Sequence, residues 1–166
     1  MIEVQVLPGT GSLHLTGQAG ETMRGVAMAA LTVVRSRARD LGLNPDFFAR
    51  GELHIHAHGG APGDDGAAGI AVVVALASAL TGRSLPHRVA MAGEITLHGR
   101  VLALSSIRER VLAARRAGVR EIVLPAANRT GWDGLSDSSR QGMRPVFVGT
   151  VAEVFEALFS SGKDGG

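Results

Sequence analysis

Cysteine and tyrosine are absent from this sequence, lysine occurs once, at Lys163, and the aromatic residues amount to five phenylalanines and one tryptophan. Without cysteine there is no disulfide framework, thiol nucleophile or cysteine metal site, and nothing betrays a redox compartment. The scarcity of lysine and tyrosine also distorts the pI. Almost nothing titrates between neutrality and arginine, so a small arginine excess lifts the sequence pI to about 10.3, while the formal net charge at pH 7 is only +2. That charge is weak ground for a polyanion partner. No run of about 18 uninterrupted apolar residues occurs, which argues against a membrane-spanning helix. The N-terminal Met-Ile-Glu-Val-Gln lacks the basic-then-apolar order of a signal peptide, so a soluble, cytoplasmic chain is expected.

Apolar material is plentiful: 45% of 166 residues are hydrophobic, enough for one domain with a substantial core. Residues 4–6 and 13–15 alternate apolar with polar around Pro-Gly-Thr-Gly and read as two short strands joined by a turn. From Glu21 the period changes. Val26, Ala30, Val33, Val34, Ala38 and Leu41 recur at helical spacing until Gly42 and Pro45 stop the helix. Residues 52–57 alternate as a strand, a glycine-rich loop follows at 59–66, and residues 67–80 are apolar all round, the mark of a helix inside the fold, ended by Gly82.

Residues 89–91 and 94–97 read as strands, with His98-Gly99 turning back into residues 100–104. Ser106-Ile-Arg-Glu109 fits a capping box for a helix reaching Gly118. Residues 121–124 and 145–148 are short strands and 151–159 a closing helix. Residues 128–142, rich in Gly, Ser, Asp and Arg, suggest a mobile loop or short helix, and the tail 161–166 is expected to be disordered. Strands and helices alternate, which gives a mixed α/β (α+β) fold without internal repeats.

Several residues invite chemistry. His54, His56 and His58 lie at spacing two, so in a strand their rings share one side, a conceivable zinc or nickel arrangement with Glu52 or Asp64 completing the shell. His87 and His98 read as turn residues. Asp64 and Asp65 directly precede a helix, where carboxylates cap N–H groups. The glycines at 59, 60, 63 and 66 form no phosphate loop, because no Gly-Lys-Ser/Thr follows. Arg108, Arg110, Arg115, Arg116 and Arg120 crowd one helix, but Glu109 and Glu121 intersperse them and no aromatic residue stands by for base stacking, so a solvated face is preferred to a nucleic-acid site. Ser78, inside the apolar helix, should bond back to a carbonyl one turn earlier. Trp132, in the irregular stretch, would mark an interface if its indole were exposed.

Residues 62–70 (Pro-Gly-Asp-Asp-Gly-Ala-Ala-Gly-Ile) and 91–101 (Met-Ala-Gly-Glu-Ile-Thr-Leu-His-Gly-Arg-Val), running on to Ser106-Ile-Arg-Glu-Arg110, resemble the core of the Lon-type protease domain. Residues 15–23, 30–35 and 43–47 are similar to that family's N-terminal half in the same order, so the resemblance covers nearly the whole chain. It implies the compact Lon proteolytic-domain fold, ribosomal-protein-S5-domain-2-like, over residues 1–160. It also implies where chemistry should sit. The family's serine nucleophile falls at Ala67, its lysine base at Arg110 and the threonine that holds the lysine amine at Ala92; of the matched positions only the aspartate three residues before the nucleophile persists, as Asp64. The family's His-x-His strand carries no metal duty, and no cofactor or metal is expected.

A serine–lysine peptidase needs a hydroxyl to attack the peptide carbonyl and a neutral amine to take the proton. Alanine has no nucleophilic atom, and a guanidinium stays charged near neutral pH. No serine here has a sequence-evident base. The resemblance therefore implies a catalytically degenerate member whose role is binding of unfolded protein or peptide, scaffolding or regulation. It would act as a homo-oligomer, in a ring such as a hexamer, with any ATPase supplied by a separate partner. Two rivals stand beside it: an active peptidase whose serine was changed to Ala67 or that uses another nucleophile, and a basic nucleic-acid-binding module.

Overall fold

The computed structural model describes residues 1–17, 20–44, 46–58, 65–85 and 88–159, Asp65 by its backbone alone. Asp64, His87, Pro45 and the tail lie outside the described residues. Among the described residues there are two three-stranded sheets, one two-stranded sheet and seven α-helices. The first sheet places β3 (Gly51–Ala57) between β1 (Ile2–Pro8) and β2 (Leu13–Gly17), antiparallel to β1 and parallel to β2. The two N-terminal strands form as their alternation predicts, yet they are not neighbours: β3 arrives later and inserts between them. Leu53, Ile55 and Ala57 point inward and are buried, as period-two alternation requires.

On that inner face pack α1 (Glu21–Ser36) and α3 (Gly69–Thr81). The periodic residues Ala38 and Leu41 are buried as their spacing demands, but α1 itself stops at Ser36. Arg37 N–H is shared between the carbonyls of Val33 and Val34, both at 3.2 Å, and the chain continues in turns up to Gly42. Such i→i+3 tightening is a common way to satisfy the last carbonyls of a helix. α3 is the apolar rod expected, entered through a 3-10 turn at Asp65–Ala68 and closed by Gly82 in the left-handed region at φ 68°.

The second sheet is parallel, with β7 (Glu121–Pro125) between β4 (Val89–Met91) and β8 (Arg144–Val148). β7 is covered on both faces. Val123 joins the main core with α3 and α7 (Val151–Phe159), while Ile122 and Leu124 face a second cluster built with Ile107, Val111 and Ala114 from the start and body of α4 (Arg108–Arg116). A strand buried on both sides reads as a continuous apolar run, and Ile-Val-Leu is one. Between the sheets, β5 (Glu94–Ile95) and β6 (Val101–Leu102) form a small hairpin through the turn at His98-Gly99. The remaining helices, α2 (Phe47–Arg50), α5 (Arg129–Asp133) and α6 (Asp137–Arg140), are short; the last two occupy the irregular stretch.

Three expectations need correction. Trp132 is buried, 6% exposed, and its ring meets Phe147 edge to face, so it fills the second cluster instead of marking an interface. The capping box at α4 is not formed as drawn: α4 starts at Arg108 without a side-chain cap, and the Ser106 hydroxyl donates to the Glu109 carboxylate itself at 2.5 Å. Ser78 donates forward to the Arg83 carbonyl at 2.6 Å, tying down the segment that leaves α3.

Candidate functional site

Ala67 is the third residue of the 3-10 turn that opens α3 and is buried, 8% exposed. Its carbonyl accepts the Gly93 N–H at 2.8 Å, and the Gly93 carbonyl in turn accepts the Ile70 N–H at 3.1 Å. The Ile70 N–H at the start of α3 is thus satisfied by the backbone of the segment beyond β4. Both sides of this clasp are tight, Gly69 against backbone and Gly93 against the end of a side chain. A Cβ on Gly69 would stand 2.9 Å from the Gly93 oxygen, and one on Gly93 would stand 2.4 Å from Ile70 Cδ1.

Ala92 precedes Gly93, immediately beyond β4, with 4% exposure and its N–H on the Val123 carbonyl at 3.1 Å. Its methyl belongs to the second cluster together with Ile107 and Val111. Arg110 lies between those two residues on α4, is half-buried, and donates from Nη1 to the Ser106 carbonyl at 3.1 Å. Burial lowers its pKa from the usual arginine value, without giving a guanidinium the chemistry of a base. The backbone bonds join the 67–70 turn to the 92–93 segment, and Ala92 packs with Ile107 and Val111 at the start of α4. The fourth matched residue, Asp64, lies outside the described residues.

The segment leading into α4 is held by a residue that sequence reasoning missed. Asn128 accepts the Leu104 N–H at 2.9 Å and donates to the Leu104 carbonyl at 2.8 Å, replacing a strand neighbour with one carboxamide. No spacing rule advertises such a clamp, because its partners are 24 residues apart.

The histidines do share the outer side of the first sheet, the His56 and His58 rings lying edge to face at 4.3 Å, but their nitrogens take separate polar partners instead of one shared centre. Thr16 Oγ1 lies 2.9 Å from His54 Nε2 and 2.7 Å from His56 Nδ1, while His58 turns to Glu3 at 2.6 Å and His14 to Glu52 at 2.5 Å. Among the described residues no three His, Asp or Glu side chains are grouped to hold a metal ion. Thr16 is a hydroxyl in contact with imidazole, yet it sits exposed on a flat strand.

Among the described residues serine offers no better nucleophile. The bond from Ser106 lowers the pKa of Glu109, which makes that carboxylate a weaker base. Ser136, Ser138 and Ser139 bond among themselves beside Arg115, whose guanidinium reaches the carbonyls of Ser138 and Ser139. The arginines of α4 are thus partly engaged: Arg115 with those carbonyls and Arg110 with Ser106. No helix among the described residues is long and apolar enough to cross a membrane.

Comparison with known proteins places this geometry in a lineage. Residues 1–161 match the Lon protease (S16) C-terminal proteolytic domain. The Lon protease of Bacillus thuringiensis is 44% identical over 156 residues, 93% of this chain and 20% of that protein. The Lon protease of Chloroflexus aurantiacus is 47% identical over 154 residues, 92% of this chain and 19% of that protein. Lon protease 2 of Syntrophobacter fumaroxidans is 46% identical over 167 residues, 99% and 21%. The chain spans about a fifth of the length of these curated relatives. With the family matched from end to end and the mixed α/β fold in place, the chain belongs to the Lon protease (S16) C-terminal proteolytic domain family.

Proposed function

We propose that this chain is a Lon-type proteolytic domain that has lost peptide hydrolysis and retains a binding, scaffolding or regulatory role. One observation carries the reading. At the positions the resemblance assigns to nucleophile and orienting threonine stand the buried methyl groups of Ala67 and Ala92, and at the position assigned to the base stands the Arg110 guanidinium, bonded to the Ser106 carbonyl. Acyl transfer needs a nucleophile within hydrogen-bond reach of a base. Neither exists in that set. The packing around it is intact, since alanine fills little space and favours the helix it opens.

What remains is a proteolytic-domain frame that can hold a peptide without cutting it. The relatives are Lon proteases several times longer than this chain, so an ATPase and an unfolded-protein substrate come to it only by analogy. A ring of identical subunits is the expected assembly, with the unfolding motor on another polypeptide. The test is binding without turnover. Fluorescein-labelled unfolded casein should gain anisotropy on addition of the chain while its length on a gel stays constant. Shortening of the casein would overturn the reading.

The rival in which another hydroxyl is the nucleophile points to Thr16, through its contacts with His54 and His56. It is disfavoured because β2 lies on the sheet edge with the hydroxyl exposed, a place that neither excludes water nor shelters a developing oxyanion.

A further inference from the structure

The second sheet carries a groove at the end opposite Ala92. Its strands begin level: Val89 of β4 stands beside Glu121 of β7, and Glu121 beside Arg144 of β8. Arg88 and Arg120 each immediately precede a first strand residue, so three arginines occupy one edge of adjacent strands, which lie about 4.8 Å apart. A groove of about 490 Å³ opens among Arg88, Arg120, Arg144, Glu121, Gly118 and Gly142. The two glycines are in the left-handed region, at φ 70° and 74°, and the space where their side chains would stand is open.

Charge in this groove is unbalanced. Glu121 is its one carboxylate, 7% exposed, and Arg144 is paired with it. A carboxylate so deeply buried has to keep such a partner. Among the described residues no acidic group lies within ion-pair reach of Arg88 or Arg120. Like charges on neighbouring strands repel one another, and an anion in the groove relieves that repulsion.

We infer that the groove binds a small dianion of the phosphate type, held by the guanidinium forks of Arg88 and Arg120 beside the Arg144–Glu121 pair. The planar fork of arginine matches tetrahedral oxyanions through paired N–H bonds, which a point-charge ammonium does not. The volume is that of a small-molecule site and not of a duplex. The groove is distinct from the region around Ala67, since it opens at the N-terminal end of β4 whereas Ala92 follows its C-terminal end. The inference therefore stands whether or not the chain hydrolyses peptides.

The experiment is an amide-resolved NMR titration of the 166-residue chain with inorganic phosphate and pyrophosphate, against chloride at equal ionic strength and against a short DNA duplex. Saturable shifts confined to residues 88–89, 118–121 and 142–144 are expected, with pyrophosphate the tighter ligand. Arg88→Ala with Arg120→Ala should weaken binding at least about tenfold at unchanged melting temperature. The double lysine variant, which keeps charge and loses the fork, should also weaken it. Equal shifts with chloride, scattered shifts, full affinity in the lysine variant, or tighter and steeply salt-dependent binding of the duplex would each overturn the assignment.

Discussion

Ala67 and Gly93 are joined backbone to backbone at 2.8 Å, and Ile70 returns a second bond to Gly93 at 3.1 Å. That clasp fixes the start of α3 against the segment beyond β4. It sets the spacing between Ala67 and Ala92, the two positions matched to nucleophile and orienting threonine, independently of what their side chains are.

Gly69→Ala reverses the usual sign of a glycine-to-alanine change in a helix. Elsewhere the substitution stabilises by about 0.5–1 kcal/mol. Here the new Cβ would meet the Gly93 carbonyl at 2.9 Å and the Ile95 amide nitrogen at 3.0 Å, both backbone atoms that cannot swing aside. A loss of about 1–3 kcal/mol is expected in denaturant unfolding.

Asn128→Ala removes both bonds to Leu104 and leaves a half-buried N–H and C=O without their partner. The expected loss is about 1–3 kcal/mol by thermal or urea unfolding. Asn128→Asp keeps the acceptor and loses the donor, so it should fall between the two.

Glu3 reports on the outer face of the first sheet. Its carboxyl is held below the ordinary 4.5, first by the hydrogen bond from His58 and then by the charge of that ring. A depressed carboxylate contributes stability above its unfolded value, and that contribution is lost as pH falls through the folded value. His58→Ala should bring the Glu3 carboxyl resonance back toward a midpoint of 4.5 in an NMR titration. An unchanged midpoint would show that the pair does not form in solution.

Thr150→Ala should destabilise the start of α7 by about 0.5–2 kcal/mol. Glu153 N–H donates to Thr150 Oγ1 at 3.3 Å, and the Glu153 carboxylate accepts the Gly149 N–H at 2.8 Å. Calorimetric melting of the variant checks it.

The same pair shows what the sequence could and could not reveal. Thr150-Val-Ala-Glu153 carries the capping signature as openly as Ser106-Ile-Arg-Glu109 does, yet only at the former does the hydroxyl accept the Glu N–H, while the carboxylate takes the N–H of the preceding Gly149. At the latter the helix starts only at Arg108, a few residues after Leu104, which Asn128 holds. Strong periodicity was legible, and β3, β7, α3 and α7 follow their patterns because burial on defined faces dictates them. Strand order was not, since alternation identifies a strand without saying which partner it meets; β3 parts β1 from β2 for that reason.

At the candidate site, the motif match brought out Ala67, Ala92 and Arg110, while the glycine clasp and the Asn128 clamp needed coordinates. Arg88 drew no notice in sequence and Arg120 was read with the arginines around α4, because only the registers of β4, β7 and β8 bring the two to one edge.

The central claim is that the chain does not cleave peptide bonds. Cleavage of fluorescent unfolded casein, followed over hours for the unaltered chain beside one carrying Ala67→Ser, Ala92→Thr and Arg110→Lys, tests it most directly. The account predicts cleavage by the substituted chain and none by the unaltered one. Cleavage by the unaltered chain would contradict it and send the search to another nucleophile.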